Sequence, residues 1–139
     1  LNCIIYTMNL IKILTVENQQ NVNIFYLMKN FYKLLNHDNW LMNFIFWELN
    51  FFKNIGYDIN FKDYVKNIKI DGNEKFIVES NKKIIPGFLV DANIIPKNNN
   101  DIYDGFKVVG DFLEKTILKP NNISYPISRI QFINSIKSI

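Results

Sequence analysis

Few residues of this chain are of types that do chemistry, and their spacing decides what they can do. His37, the single histidine, stands beside Asp38 in the connector "NHDNW" (Asn36–Trp40). A His–Asp dyad can activate a nucleophile, but none lies nearby in sequence, and no second metal ligand accompanies it. The plain reading is an exposed loop histidine. Cys3, the single cysteine, sits in an apolar run and reads as a small buried hydrophobe. One thiol excludes an intrachain disulfide and a four-thiolate zinc site, and it fits a reducing compartment. Asp101, Asp104, Asp111 and Glu114 cluster in one segment. Paired carboxylates can do acid–base work. Asp101 and Asp104 fall in the first turn of a predicted helix, however, where the dipole favours negative charge, so capping and solvation account for them. "GFKVVG" (Gly105–Gly110) has the glycine spacing of a phosphate loop. Asp111 and Phe112 stand where Lys and Ser/Thr are needed, and no strand precedes it.

Glu48 is different. It falls in the middle of an apolar helical stripe made by Leu41, Phe44, Phe51, Phe52 and Ile55. A buried carboxylate without a partner is costly. The sole arginine, Arg129, can bind a carboxylate through two parallel bonds, so a core pair between them is one reading of both residues. A second reading of Arg129 places it with Lys107, Lys115, Lys119 and Lys137, as the basic rim of an apolar groove. Such a groove accepts DNA phosphates or an acidic peptide; a scattered solvated surface is the competing view.

Helices must position these groups. The first runs from Leu1 to about Val16, with Ile4, Met8, Ile11 and Val16 near one face and Ile5 beside them. "ENQQN" (Glu17–Asn21) is a polar break. The second spans about Val22 to Leu35, with the stripe Ile24, Leu27, Met28, Phe31, Leu34 and Leu35. After the short connector, where Asp38 or Asn39 can cap, a third helix runs from about Trp40 to Ile55. Its stripe includes Ile45, and Gly56 ends it as a left-handed cap. "KNIKIDGNEKFIVES" (Lys66–Ser80) then alternates around Asp71-Gly72-Asn73, a hairpin signal. Residues 81–100 read as loop, with one short helical turn at Phe88–Ala92. "NDIYDGFKVVGDFLEKTIL" (Asn100–Leu118) follows as a helix striped by Ile102, Phe106, Val109, Leu113 and Ile117. "KPNNISY" (Lys119–Tyr125) breaks it. A last helix starts near Pro126 and carries Ile130, Ile133, Ile136 and Lys137.

Gly105 and Gly110 each cost that helix about 1 kcal/mol relative to alanine. Five helical residues rotate by roughly 140°, so the two notches face different ways. A helix thinned on two sides admits two close neighbours, which predicts a central helix of a bundle.

Composition agrees. The chain has 139 residues, 48% hydrophobic and 21% charged, suited to one domain with one core. A formal net charge of +3 permits an acidic partner without requiring one. The longest apolar stretches are interrupted by Asn, Lys and Glu and fall short of the roughly 18 residues of a membrane span. No signal peptide is evident. The expected fold class is mainly α, a helical bundle with a small inserted β-hairpin at about residues 64–82.

The order of motifs resembles the RecO family of recombination mediators. "FWELNFFKNIGYDINF" (Phe46–Phe61) is similar to its "F-E-L-x-L-L-x-x-L-G-Y" segment. "DIYDGFKVVGDFLEKTIL" is similar to "L-x-D-G-L-x-L-T-G-x-F-L-E", in the alphaproteobacterial form, and "YPISRIQFI" (Tyr125–Ile133) to "L-P-x-x-R-x-x-L/F". The resemblance covers nearly the whole chain. It implies that residues 1–139 form the helical C-terminal domain, without the OB-fold domain with which the family begins. It further implies a non-enzymatic protein of the bacterial cytoplasm and nucleoid. Such a protein binds single- and double-stranded DNA, RecR and the acidic, Phe-ending tail of single-strand-binding protein, with no membrane partner and no cofactor. Many members hold zinc through four cysteines after the "G-Y" motif. Here Tyr64 and Asn67 stand where the first pair would fall, so no metal is expected. Glu48, Gly56, Gly105, Gly110 and Arg129 fall on family motif positions. The first four carry over as structural, while for Arg129 a partner or DNA contact competes with the core pair. The rival readings are an unrelated helical protein–protein interaction module and an enzyme, which would need a pocket of convergent polar groups.

Overall fold

A computed structural model describes residues 1–15 and 23–137. The polar break Glu17–Asn21, with Val16 and Val22, lies outside them. The fold is mainly helical with a small three-stranded antiparallel sheet.

Helix α1 spans Asn2–Thr15. It buries Cys3, Tyr6, Thr7, Leu10, Ile11 and Leu14, a three-and-four repeat. This corrects the predicted face, because Ile5 and Met8 are exposed. Tyr6 and Thr7 take their place inside, and the Tyr6 ring packs there with its hydroxyl bonded to Glu48. Helix α2 (Ile24–Leu34) starts at Asn23, whose side chain accepts the Tyr26 N–H at 3.0 Å. It turns Leu27, Phe31 and Leu34 inward, while Ile24, at the start of its predicted stripe, is exposed.

Helix α3 (Trp40–Asn54) begins without the expected side-chain cap. Asn39 holds the N-cap position at φ −96° and ψ 33° and makes no cap bond, because a cap side chain reaches the first turn from extended backbone. The other end follows expectation. Gly56 takes φ +105°, its N–H donates to the Lys53 carbonyl at 3.1 Å, and the Tyr57 N–H donates to the Phe52 carbonyl at 2.8 Å. These are the paired bonds of a Schellman ending.

Strands β1 (Val65–Ile70) and β2 (Asn73–Val78) form the predicted hairpin, with Ile70 opposite Asn73. Asp71 and Gly72 turn the chain at φ 52° and 81°, both positive, as a two-residue type I′ turn requires. A two-residue strand, β3 (Ile84–Ile85), adds to β2 where loop was expected. The short helix α4 occupies Gly87–Val90.

Helix α5 (Asn99–Phe112) is capped by Asn98, whose side chain accepts the Asp101 N–H at 3.1 Å. Its predicted stripe holds: Phe106, Val109, Leu113 and Ile117 are buried and Ile102 half-buried. It does not continue as an α-helix to Leu118. Leu113–Leu118 widen into a π turn and Lys119–Asn121 tighten into a 3₁₀ turn. Pro120 explains the change, since it has no N–H for the Thr116 carbonyl and its ring would strike that carbonyl in an α turn. Helix α6 (Ile127–Lys137) buries Ser128, Arg129, Phe132 and Ile136. Ile130, read as part of its stripe, is exposed, and Arg129 holds the inward position beside it.

The core is aromatic. Phe44 meets the rings of Tyr6, Phe31, Trp47, Phe106 and Phe132 at centroid separations between 5.4 and 6.2 Å. One ring of α3 therefore joins α1, α2, α5 and α6. Gly105 faces α3 and α4: a Cβ there would lie 2.6 Å from Phe88 Cζ and 3.2 Å from Ile45 Cδ1. Gly110 faces α6. The two notches thus serve different neighbours, and α5 is the central helix.

Candidate functional site

The most highly connected polar group is at the bottom of the bundle. Glu48, 0% exposed, and Arg129, 1% exposed, form an ion pair at 3.2 Å between Arg129 Nη2 and Glu48 Oε1. Tyr6 donates its hydroxyl to Glu48 Oε2 at 2.5 Å. Arg129 also donates through Nε to the Tyr6 hydroxyl at 3.2 Å, through Nη1 to the Tyr125 hydroxyl at 2.9 Å, and through Nη2 to the Phe106 carbonyl at 3.1 Å. The fork therefore ties α6 to α1, α3 and α5.

Gly110 exists for this fork. A Cβ there would stand 2.7 Å from Arg129 Nη1 and 2.9 Å from the Tyr125 hydroxyl. What passes through the second notch is a guanidinium. Burial opposes the charge on Arg129, but the Glu48 carboxylate and the Tyr6 and Tyr125 hydroxyls outweigh it and hold the group above its ordinary value, fully protonated. Burial, then the Glu48 charge, pushes Tyr6 well up, so it stays a neutral donor. The same two causes push the Cys3 thiol up to about 12, which leaves it protonated and unreactive at neutral pH.

Above Arg129 lies an open valley between α5 and α6. Lys107, Gly110, Asp111 and Glu114 line one side, Tyr125, Ile130 and Ile133 the other, with Lys83 at the edge and Arg129 beneath. Lys83 is paired with Asp111. At one end two ammonium groups converge on one ring: Lys107 Nζ lies 5.5 Å and Lys137 Nζ 4.9 Å from the centre of Tyr103. Cations are attracted to a ring face at such distances. The lining is thus cationic at Lys107, apolar at Ile130 and Ile133 and acidic at Asp111 and Glu114, with Tyr103 and Lys137 beside Lys107 just outside it.

Of the residues singled out for the basic rim, Lys107 and Lys137 come together here. Lys115 and Lys119 are exposed but do not line the valley, and Arg129 is at its floor, engaged by Glu48. His37 is exposed in its connector, and Asp104 is exposed. The Asp101 carboxylate accepts the Lys97 N–H at 2.8 Å, which extends the cap of α5. Tyr64 and Asn67 are exposed at the start of the hairpin. Among the described residues no group of three or more His, Cys, Asp or Glu is placed to hold a metal ion. No described helix is long and apolar enough to cross a membrane.

Sequence reasoning missed Tyr6, Tyr125 and Tyr103. Two of them carried a signal: Tyr125 stands four residues before Arg129, and Tyr103 four before Lys107, the spacing at which helical neighbours meet. It also missed the outward face of α2, where Phe25, Met28 and Tyr32 with Lys29, Lys33 and Asn36 line an open concavity.

Comparison with protein families gives a match over residues 1–122 to the model described as "Recombination protein O C terminal". Comparison with curated proteins and with solved structures gives no match.

Proposed function

We infer, from the fact that this chain belongs to the recombination protein O C-terminal family, that it works in recombination and repair by binding and not by catalysis. In this reading the chain takes DNA, RecR and the acidic C-terminal tail of single-strand-binding protein as partners. The family match is the observation that carries the reading.

The α5–α6 valley supports it in chemical terms. A peptide that ends in an aromatic residue carries an apolar side chain and a terminal carboxylate close together. Ile130 and Ile133 offer the first a surface, and Lys107 and Lys137 offer the second two cations held beside Tyr103. The Arg129 fork beneath keeps that floor in place, so little ordering is needed on binding. Lys115 and Lys119, exposed further along the same stretch of chain, supply charge for more distant contacts with the tail or with DNA.

The test is binding of a fluorescent acidic peptide ending in Asp-Phe, measured by anisotropy. The double variant Lys107→Ala/Lys137→Ala is expected to weaken it roughly tenfold or more, because charge-assisted bonds contribute about 1.5–3 kcal/mol each. Affinity unchanged by the double variant removes the valley from the reading. A wild-type chain that binds neither this peptide nor DNA at low salt removes the reading itself.

A further inference from the structure

We propose that the outward face of α2 is a stacking platform for single-stranded DNA; the proposal rests on the DNA-binding reading above and gives it a place. Helix α2 has two apolar stripes. Leu27, Phe31 and Leu34 fill the core. Phe25, Met28 and Tyr32 follow at the three-and-four spacing of a second face, and that face is open: Phe25 is 78% and Tyr32 50% exposed, with Tyr26 at 57% nearby. An apolar face that the core does not use marks an interaction surface.

Charge selects the occupant. The described parts of α1 and α2, Asn2–Thr15 and Ile24–Leu34, contain no Asp or Glu, while Lys12, Lys29 and Lys33 stand on them. The concavity's own lining has two lysines, exposed rings and no carboxylate, which fits a polyanion that carries flat apolar groups, a nucleic-acid strand with unpaired bases. The α5–α6 valley does not fit that ligand, because Glu114 stands at its far end. A duplex does not fit α2 either, since its bases are stacked on each other. A second copy of the chain would set one lysine-bearing face against another across a two-fold axis, with no carboxylate in the lining to offset the charge. A peptide backbone would find two neutral hydrogen-bonding groups in the concavity, the Tyr32 hydroxyl and the Asn36 amide, whereas stacking requires none.

The spacing suits a strand. Phe25 and Tyr32 are seven residues apart, about 10 Å along the helix, so they take bases a few nucleotides apart. Lys29 lies between them, and Lys33 follows Tyr32, within reach of the phosphates.

The experiment measures binding of a labelled oligothymidylate of about 20 nucleotides and of a duplex of equal length to the whole chain, across a salt series. Phe25→Ala/Tyr32→Ala is expected to weaken the oligothymidylate at least tenfold, since each stacked base contributes roughly 1–3 kcal/mol, and to leave duplex binding unchanged. Lys29→Ala/Lys33→Ala is expected to lower the slope of log K against log salt by about 1.4, two phosphates at roughly 0.7 each. Phe25, Lys29 and Lys33 are exposed, and Tyr32 is half exposed with its ring 5.6 Å from that of Phe31, so melting curves accompany each variant to show that it is folded at the assay temperature. Equal oligothymidylate binding by wild type and Phe25→Ala/Tyr32→Ala overturns the placement and leaves the functional reading standing. A wild-type dimer that the same variant splits, or an acidic peptide whose binding the variant abolishes while DNA binding persists, also overturns it. A wild-type chain that binds no DNA at low salt, yet binds the acidic Asp-Phe peptide, overturns the inference and the DNA half of the reading together.

Discussion

Replacing Arg129 with methionine keeps most of the side chain's volume and removes its charge. The Glu48 carboxylate, fully enclosed, then retains the Tyr6 hydroxyl and loses the cation it is paired with. The Tyr125 hydroxyl and the Phe106 carbonyl lose a donor as well. Breaking a buried pair from one side costs about 3–5 kcal/mol, a third or more of the 5–15 kcal/mol that holds a typical domain together. Glu48→Leu strands the guanidinium instead and falls in the same range. The combined variant Glu48→Leu/Arg129→Met leaves no buried charge, and such replacements are often neutral. It is expected within about 2 kcal/mol of wild type, the residue being the two unpartnered tyrosine hydroxyls. The singles therefore sum to more than the double by at least about 4 kcal/mol. Urea unfolding, followed by far-ultraviolet circular dichroism and by the fluorescence of Trp40 and Trp47, gives the three values. Should a single variant not fold, Arg129→Lys keeps the charge without the fork and is expected to cost about 1–3 kcal/mol. Additivity within about 0.5 kcal/mol would refute the reasoning that these two residues form one unit.

Other expectations follow from the same contacts. Gly110→Ala should lower stability by about 1–3 kcal/mol through overpacking against Arg129 and Tyr125, although alanine favours the helix by about 1 kcal/mol; in an Arg129→Met background most of that loss should vanish, as melting curves will show. The Cys3 thiol ionises at 9.0 when free and near 12 in the fold, so its contribution to stability is complete below pH 9 and is lost as pH rises toward 12; urea titrations across that range should show the decline, and Cys3→Ala should reduce it. Lys83→Ala removes a pair whose side chains are both partly exposed and should cost less than about 1 kcal/mol, with thermal stability in high salt matching wild type.

Much of this was legible where one signal dominated. Asp71-Gly72 fixed the hairpin because few residues accept two positive φ angles in succession. The α5 stripe was legible because its apolar residues repeat without interruption, and the Glu48–Arg129 pair because a carboxylate in an apolar stripe needs a buried cation and the single guanidinium can bond it through two parallel N–H groups. The face of α1 was not, since a count of aliphatic residues favours Ile5 and Met8 over Tyr6 and Thr7. Tyr6 is inside because Glu48 and Arg129 are there to bond its hydroxyl, a fact about α3 and α6. The strand β3 was hidden because two residues carry no periodicity, and it forms only because β2 offers an edge. The π turn was signalled by Pro120, four residues beyond the carbonyl it disturbs. The outward face of α2 was not legible because Phe25 and Tyr32 fall outside the stripe that fills the core, and Ile24, counted in that stripe, is exposed.

The two candidate surfaces differ in how they are held, and that difference bears on what they do. The valley is built on the Arg129 fork, which bonds to α1, α3 and α5 at once. Its floor cannot shift without breaking a buried ion pair, so a ligand seated on Ile130 and Ile133 meets a preformed surface, and damage to the pair should reach peptide binding. Among the described residues none of the fork's hydrogen bonds reaches helix α2. It is fastened by Leu27, Phe31 and Leu34 and by the Trp47 indole N–H, which donates to the Leu27 carbonyl at 3.0 Å. In the function proposed above the chain holds a strand and a protein tail together, which needs sites that neither compete for one surface nor depend on one contact. An aromatic face on α2 and a graded valley on α5 and α6, anchored separately to the same Phe44-centred core, meet that requirement.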